Sequence, residues 1–505
     1  MELALTLPLY TALLVLVGLT RLVELLLSRR NRRRLRANGA VAVREPHFGA
    51  MVLLHVAILV GAGVEAWSTR RLLIPGLAAT MLTLLLAAIA LRWWVIASLG
   101  PHWNVAIMDS IAEQNRAGHG LTVVCKGPFR WIRHPNYVAV FLELLALPLV
   151  HAAWFTAVLG SAAHLWVLHH RVRSEEAVLL GHSSYQASMA DKPRFIPRPL
   201  TAAIQSVYAF IRLGRPLFLL GGFVLYGLGA AVVVAQGRTI DRTVYLLGQV
   251  VITAFQLMTH YANDFFDYEA DRANLTPTRW SGGSRVLPRG EVPRTIALAG
   301  ALAAAGAGIV AMIVLASRHP GPLLVPIALA ILVLSWLYSA PPLRLNSTGW
   351  GELTAVLVVT ALVPFFAFYL QAPDLIGWRI LLLAICPPGC LQFAMLLAVG
   401  VPDAAGDLAV GKRTLVVRLG VARAVRWHAT GLALAYATLP ILVAGGLPVV
   451  VALPAALPAP VALWRICCGR GGRALRPERW ESFTFWSVAL LTLTAAAELA
   501  GFLLL

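Results

Sequence analysis

Two acidic clusters, each beside an apolar stretch long enough to cross a bilayer, are the first candidates for catalytic side chains in this sequence. The first is NDFFDYEAD at 263–271, and the second is DAAGD at 403–407, with GKRT following at 411–414. Carboxylates at a membrane edge are costly unless something pairs with them. Their presence therefore predicts a functional site.

The aspartates of each cluster share one face of a helix, because they are spaced i, i+3 and i+7 in the first cluster and i, i+4 in the second. They are Asp264, Asp267 and Asp271, and Asp403 and Asp407. Two opposed carboxylate faces repel each other unless divalent cations lie between them. Hard oxygen ligands suit Mg²⁺, which usually completes its coordination shell with water and phosphate oxygens. The sequence thus predicts a membrane-embedded site for a diphosphate.

The composition indicates a membrane protein. Of the 505 residues, 59% are hydrophobic and 13% are charged, whereas a soluble globular protein has about a quarter charged residues. The apolar residues are gathered in stretches of roughly 18 to 25, the length that a bilayer-spanning helix needs. We expect an all-α, multi-pass integral protein of a bacterial-type inner or plasma membrane. Its first apolar stretch is predicted to be a retained helix and not a cleaved signal peptide.

The distribution of basic residues predicts the orientation of the chain. The net charge of +19 does not indicate nucleic-acid binding, because Arg and Lys lie in short loops between apolar spans. With the N-terminus outside, one side holds most of these cations and both acidic clusters. Its loops are 28–47, 99–136, 171–215, 263–292, 340–350, 402–424 and 465–481. The positive-inside rule makes this side cytoplasmic, where diphosphate substrates are available.

The apolar stretches divide the chain into two predicted membrane domains. About five transmembrane helices are expected in the first, at 3–27, 48–66, 72–98, 137–150 and 152–170. Nine are expected in the second, at 216–236, 243–262, 293–316, 321–339, 351–371, 378–401, 425–445, 447–464 and 482–504. The intervening segment is basic, contains prolines and is too polar to span. We predict domains at 1–198 and 216–505, joined by a linker at 199–215.

The second domain resembles the UbiA superfamily of intramembrane aromatic prenyltransferases. The resemblance rests on both aspartate motifs, on YSAPPLRL at 338–345 and on WGE at 350–352. It implies a nine-helix bundle around a central cavity, in which Mg²⁺ grips the diphosphate of a polyprenyl donor. The implied metal ligands and catalytic carboxylates are Asp264, Asp267, Asp271, Asp403 and Asp407. The loop WSGGSRVLPRG at 280–290 is similar to that of bacterial members near the 1,4-dihydroxy-2-naphthoate prenyltransferases.

The chemistry of such a donor calls for cations near the carboxylates. Ionising an allylic diphosphate produces a diffuse carbocation and a leaving anion, which metal ions and fixed cations must neutralise. Lys412 closely follows the second motif and belongs to the family's pattern, so we predict that it is catalytic and binds the diphosphate. Asn263, Arg285 and Arg344 are predicted to bind it as well. An apolar helical cavity keeps water from the carbocation until an aromatic acceptor attacks it.

The first domain carries a different pattern, with RHPNY at 133–137 and RVRSEEAVLL at 171–180. This resembles the isoprenylcysteine carboxyl methyltransferase family, whose signature is RHPxY followed by an Arg and paired glutamates. The resemblance implies that S-adenosyl-L-methionine binds in a cytoplasmic pocket that opens into the membrane. The predicted cofactor contacts are Arg133, His134, Asn136, Tyr137, Glu175 and Glu176.

Arg171 and Glu175 are the predicted catalytic pair of this domain. Methyl transfer is an in-line displacement that needs orientation more than acid–base power. At i, i+4 spacing, one side chain can hold a substrate oxygen while the other holds the cofactor. The alternative is a helix-surface ion pair, which contributes only about 0.3–0.5 kcal/mol. The histidines His55 and His164 have no metal-ligand spacing, and packed or interfacial positions are expected for them.

Three functions from different classes follow. The favoured one is a bifunctional enzyme that prenylates a phenol- or quinol-type ring and methylates the same or a related lipophilic molecule. The second is a prenyltransferase with a non-catalytic N-terminal anchor, against which the presence of His134, Glu175 and Glu176 argues. The third is a membrane transporter built on two helical bundles. Acids deep within spans would favour a transporter, but here the acids are expected at helix ends beside basic loops.

Overall fold

Helices make up nearly all of the regular structure. The computed structural model describes residues 2–37, 40–43, 48–106, 108–109, 123–181, 183–319, 321–470 and 476–505, and the chain forms two compact units, Met1–Ala203 and Ile204–Leu505. In the first unit the helices are α1 (Glu2–Ala37), α2 (Phe48–Thr69), α3 (Pro75–Leu99), α4 (Pro135–Leu149), α5 (Trp154–Leu179) and α6 (Ser183–Met189). A short antiparallel ladder pairs β1 (Val41–Ala42) with β2 (Met108–Asp109).

The described residues of the second unit form helices and connecting turns, without a strand. The boundary between the units falls within α7 (Arg198–Leu213), and the second unit continues with α8 (Pro216–Val234), α9 (Arg242–Phe266), α10 (Tyr268–Ala273), α11 (Arg294–Arg318) and α12 (Leu324–Ser339). Next come α13 (Gly351–Ala355), a π-helical turn (Val356–Leu362), α14 (Val363–Gln371), α15 (Trp378–Ala384) and α16 (Cys386–Ala409). The last are α17 (Leu415–Leu419), α18 (Val421–Ala437), α19 (Leu439–Ala444), α20 (Val449–Ala456), α21 (Ala459–Arg470) and α22 (Trp480–Leu503).

The predicted all-α membrane protein is confirmed. Ten helices among the described residues are long and apolar enough to cross a bilayer, and two shorter apolar helices are α4 and α12. Helices α5 and α9 are as long as these ten candidate membrane-spanning helices, but they carry more polar side chains. Helix α5 carries Arg171, Glu175 and Glu176, and α9 carries Asn263 and Asp264, so these candidate site residues account for part of their lower apolarity.

Packing in the first unit joins α1 to α4 and α2 to α5. Leu14 of α1 packs with Ala62, Leu85 and Leu147, and the Tyr10 hydroxyl donates to the backbone carbonyl of Leu147 at 3.1 Å. The carboxylate of Glu65 accepts hydrogen bonds from the first turn of α5, among them the Thr156 amide at 2.8 Å. Because the first amides of a helix have no intrahelical partner, this carboxylate fixes where α5 begins.

Packing in the second unit brings α8, α9, α12 and α14 together around a buried apolar core. At Gly229 of α8, an added Cβ would lie 1.9 Å from the carbonyl oxygen of Pro364, so only glycine permits this close crossing. The predicted linker lies largely in α7, whose Ala209 and Leu213 are buried against the second unit's helices. Its other face leaves Val207 and Tyr208 exposed.

Candidate functional site

A cavity of about 320 Å³ lies inside the second unit, and most of the two acidic clusters face it. The end of α9 contributes Asn263, the break after it contributes Asp267, and α10 contributes Asp271. The end of α16 contributes Asp403 and Asp407. Further in, the lining is apolar, with Leu225, Phe255, Ile331 and Val363 among its residues. The cavity therefore has a charged mouth and an apolar interior.

Lys412 connects the two acidic motifs. Its Nζ lies 2.9 Å from Oδ2 of Asp267 and 3.4 Å from Oδ1 of Asp407, and its backbone amide donates to the Asp407 carbonyl at 2.8 Å. Burial acts to lower the pKa of Lys412, but the two adjacent carboxylates outweigh it and raise this pKa above its ordinary value. The ammonium group therefore stays charged at the mouth of the cavity.

Asp267 accepts hydrogen bonds from three different side chains. Its Oδ2 accepts from Asn263 Nδ2 at 2.6 Å, from Asn346 Nδ2 at 2.7 Å and from Lys412. Among the described residues no donor is bonded to its other oxygen, Oδ1. Asn346 lies in the turn at the end of the 338–345 motif and was not among the residues predicted from the sequence.

The loop after the first motif is tied to the second. Asp403 accepts from Asn274 Nδ2 at 2.8 Å and from the Gly282 amide at 3.1 Å. Gly283 has φ of +70°, and a Cβ there would lie 2.0 Å from Oδ2 of Asp271. Both the positive φ and the lack of space require glycine at this position. The loop thus closes over the acids as part of the site.

Asp264 is placed differently from the other four aspartates. It does not line the cavity, and its carboxylate is held by Arg215 Nη2 at 2.5 Å and by the side chain of Ser284. Arg215, which the sequence analysis missed, does line the cavity and also donates to Asn263 Oδ1 at 3.0 Å. Burial would lower the pKa of Arg215, but the nearby Asp264 and Asp271 raise it. The signal available in the sequence was an Arg directly before Pro216, at the start of an apolar span.

The other two predicted diphosphate ligands lie outside the cavity lining. Arg285 donates to the backbone carbonyl of Asp271 and so braces the loop. The side chain of Arg344 is exposed. Neither residue reaches the carboxylates in this structure, so their predicted role would require a rearrangement.

The acids fit a divalent cation that is only partly coordinated by the protein. Burial, together with the carboxylates of Asp264 and Asp267, raises the pKa of Asp271 well above its ordinary value. This excess of negative charge favours a bound cation. No three His, Cys, Asp or Glu side chains among the described residues converge on one point. Mg²⁺ commonly takes one or two carboxylates and completes its shell with water and phosphate, which agrees with acids spread around the mouth.

A second cavity, of about 830 Å³, lies inside the first unit and collects most of that unit's predicted residues. The lining includes Arg133, His134, Asn136, Tyr137, Arg171 and Glu175. The Tyr137 hydroxyl donates to Glu175, and Arg171 Nε donates to that hydroxyl at 2.9 Å. The two ends of the predicted signature therefore meet across the cavity.

Glu176 is buried behind the cavity instead of lining it. Its carboxylate accepts from His134 Nε2 at 3.0 Å and from Arg194 Nη2 at 2.6 Å, and Arg133 Nη1 lies 3.2 Å away. Burial acts to raise the pKa of Glu176, but the hydrogen bonds from Arg194 and His134 outweigh it, so this pKa lies below its ordinary value. Backbone bonds from Arg133 and His134 to residues 193 and 194 fix the same segment. Glu176 thus positions the signature residues.

Comparisons with known proteins agree with this division. Residues 81–181 match the isoprenylcysteine carboxyl methyltransferase (ICMT) family, and residues 223–489, just over half of the chain, match the UbiA prenyltransferase family. The chain is 28% identical over 174 residues to the uncharacterized protein YpbQ of Bacillus subtilis (strain 168), covering 34% of this chain and 96% of that protein.

Two further relatives resemble the second unit. The chain is 27% identical over 225 residues to the 1,4-dihydroxy-2-naphthoate octaprenyltransferase of the same bacterium, covering 45% of this chain and 70% of that enzyme. A solved UbiA homolog from Aeropyrum pernix K1 is 17% identical, with a TM-score of 0.42 over 55% of this chain and 96% of that one. This multi-pass membrane protein therefore belongs to the UbiA prenyltransferase family and carries an ICMT-family region ahead of that domain.

Proposed function

We propose that the second unit transfers a prenyl group from a polyprenyl diphosphate to a phenol- or quinol-type ring in an Mg²⁺-dependent reaction. This proposal rests on one cavity that has an apolar interior and a mouth lined by carboxylates, two of which Lys412 bridges. The likeness to a 1,4-dihydroxy-2-naphthoate octaprenyltransferase supports an aromatic acceptor and a long prenyl chain.

Each part of the cavity has a task in this reaction. Asp267, Asp271, Asp403 and Asp407 would hold Mg²⁺, which when bound neutralises charge on the departing diphosphate. Lys412 and Arg215 are the cations in the lining that reach the same region, and they add positive charge where the anion develops. The apolar interior, including Phe255 and Val363, excludes water from the allylic carbocation.

The first unit is proposed to methylate a lipophilic molecule with S-adenosyl-L-methionine. The cofactor supplies the methyl group when bound, and Glu175 with His134 and Asn136 would hold it at the signature end of the cavity. The carboxylate of Glu175 suits the ammonium group of such a ligand. Arg171 and Tyr137 would orient the reacting groups. Both sites are proposed to face the cytoplasm, on the basis of the basic loops beside them.

Metal removal tests the prenyl transfer. Purified protein in nanodiscs is incubated with labelled geranylgeranyl diphosphate and 1,4-dihydroxy-2-naphthoate or a panel of phenols. We expect a prenylated product with Mg²⁺, its loss to background with excess EDTA, and recovery when Mg²⁺ is restored. Methyl transfer, measured in the same samples with labelled S-adenosyl-L-methionine, should not respond to EDTA. Prenyl transfer that persists in EDTA would contradict the proposal.

Arg215→Ala should raise the KM for the prenyl diphosphate by about 10- to 100-fold, because a hydrogen bond to a charged group contributes about 1.5–3 kcal/mol. Arg344→Ala is the matched variant, since that side chain is exposed and lies outside the cavity lining. Steady-state kinetics with varied donor measures both. A larger effect at Arg344 than at Arg215 would mean that the cytoplasmic loops rearrange to bind the donor.

A further inference from the structure

The cavity of the first unit extends beyond the signature residues, and its far end is lined by polar side chains. Four helices contribute them: Arg21 and Glu24 from α1, His55 from α2, Arg92 from α3 and His164 from α5. Ionisable groups within apolar spans are costly and are found where they serve a function. The far end therefore suits a ligand that carries a polar group of its own.

The charged side chains at the far end neutralise one another. Glu24 accepts from Arg21 at 2.8 Å and from Arg92 at 2.6 Å, and Glu143 pairs with Arg21 and lies 3.7 Å from Arg92. Two positive and two negative charges cancel, so this network does not favour a charged ligand. Arg92 is 7% exposed, and its Nε has no hydrogen-bond partner among the described residues. The guanidinium group therefore keeps a donor that a neutral oxygen can use.

The imidazole of His164 is buried at the far end without a hydrogen-bond partner. Its side chain is 3% exposed, and neither ring nitrogen is bonded to any of the described residues. The rings of His55 and Phe141 lie beside it, with centroids 5.6 Å and 6.5 Å away. Buried polar groups are almost always hydrogen-bonded. A group that enters the cavity is therefore the expected partner of His164.

The surroundings of His164 favour an uncharged ring. Arg92 and Arg171 line the same cavity, and both burial and nearby positive charges disfavour a charged imidazole. A neutral imidazole has one N–H donor and one acceptor nitrogen. A hydroxyl group is both a donor and an acceptor, so it can bond to either nitrogen, whereas a carboxylate can bond only to the N–H. His164 is therefore suited to binding a neutral hydroxyl group.

The far end and the signature end are separate parts of one cavity. His164 and Arg171 both line it and are seven residues apart on α5, a rise of about 10 Å along the helix axis. Met51 connects the two ends, because its carbonyl oxygen lies 2.7 Å from Nδ1 of His55 and its Sδ lies 2.9 Å from Nη1 of Arg171. One ligand can bond at both ends only if it has two polar groups at about this separation.

We infer that the methyl acceptor carries a hydroxyl group about 10 Å, two turns of α5, from the atom that receives the methyl group, and that His164 binds this hydroxyl group. The inference rests on the proposed methyl transfer, in which the receiving atom lies beside Arg171. Val167 and Leu168 lie between His164 and Arg171 on α5 and line the cavity, so they cover the apolar part that joins the two polar groups. His164 thus determines which acceptor is used without touching the reacting atoms.

Two phenols that differ only at the far end test this inference. 4-(4-Hydroxybutyl)phenol carries an alcohol at about the separation of His164 and Arg171, and 4-pentylphenol carries a methyl group in its place. The measured quantity is the ratio of kcat/KM for the alcohol to that for the alkyl phenol, because partition into the membrane is the same for every variant and cancels. We expect His164→Phe to lower this ratio about tenfold, the effect of one buried hydrogen bond.

Two further variants distinguish binding from a structural role. His164→Gln keeps a donor and an acceptor in its amide, so it should retain part of the ratio. His169→Phe, on the exposed face of the same helix, should leave the ratio unchanged. If His164 only supported the fold, His164→Phe would lower both reactions equally and the ratio would not move.

Binding measurements separate this inference from the proposed methyl transfer. S-adenosylhomocysteine binding to the unchanged chain, measured by calorimetry, tests the cofactor site, and its absence would contradict the methyltransferase proposal. Binding of the two phenols to the cofactor-free protein tests the far end by itself, and the ratio of their affinities should also fall about tenfold in His164→Phe. A ratio that His164→Phe leaves unchanged, in binding or in turnover, would overturn the inference.

Discussion

Asp267→Ala should reduce prenyl transfer by about 10³-fold or more while leaving methyl transfer unchanged. Asn263, Asn346 and Lys412 all donate to Oδ2 of Asp267, so one substitution removes a proposed metal ligand and leaves three donors without their acceptor. Loss of metal and of charge neutralisation at a leaving group each account for several kcal/mol of transition-state stabilisation. Each 1.36 kcal/mol is a tenfold change in rate.

Single-turnover assays with labelled prenyl diphosphate measure this effect, and S-adenosylhomocysteine binding confirms that the first unit is intact. Glu269→Ala is the matched control, because Glu269 belongs to the same acidic cluster but is exposed and does not line the cavity. Its activity should stay within about twofold of the unchanged chain, since exposed charges contribute little. Equal losses in both variants would show that the cluster acts through its overall charge and not through Asp267.

Glu176→Ala should have the opposite result, lowering methyl transfer by about 10²-fold or more with prenyl transfer unaffected. Glu176 accepts from His134 and Arg194 and pairs with Arg133. Removing one partner of a buried ion pair is strongly destabilising, about 3–5 kcal/mol, because the remaining charges have no compensation. The signature segment would then no longer be held in place against the cavity.

Methyl-transfer assays with labelled S-adenosyl-L-methionine measure this loss, and Glu176→Gln is a second variant to compare with Glu176→Ala. The amide oxygen of Gln can still accept from His134, so this variant should retain more activity than Ala, a gradation that general unfolding would not give. Asp191→Asn, at an exposed acid of the same unit, should leave both reactions unchanged. Loss of both activities in either Asp267→Ala or Glu176→Ala would contradict the separation of the two sites.

Helical spacing placed the aspartates of each cluster on one face, and in the structure four of the five line the cavity whereas Asp264 does not. The i, i+3, i+7 rule assumes one continuous helix. In the structure α9 ends at Phe266, Asp267 adopts φ of −91° and ψ of 5°, and α10 starts at Tyr268. The face is therefore interrupted at Asp267. Asp264 instead lies beside Arg215, a contact between distant segments that no spacing within the first cluster predicts.

The polar groups that sequence reasoning missed come from contacts between distant parts of the chain. Arg215 precedes the first span of its unit and was indistinguishable from an ordinary cytoplasmic loop cation. Glu24 and Arg92 are 68 residues apart, and His55 and His164 lie on different helices. Hydropathy predicted each of these helices, because length and apolarity are local properties. Which polar side chains meet inside a bundle depends on helix packing, which no spacing within one segment reveals.

Lys412, which contacts both Asp267 and Asp407, would affect how the proposed donor binds. Lys412 holds the two motif-bearing segments together, so in the proposed reaction a bound Mg²⁺ would replace its ammonium group as counterion of these carboxylates. The protein would then lose little conformational entropy when the proposed donor binds. More of the interaction energy would remain to lower the barrier to ionisation of the diphosphate. In the proposed reaction a metal-bound diphosphate would offer the displaced ammonium group a new partner, whereas a bare metal ion would only compete with it for the carboxylates.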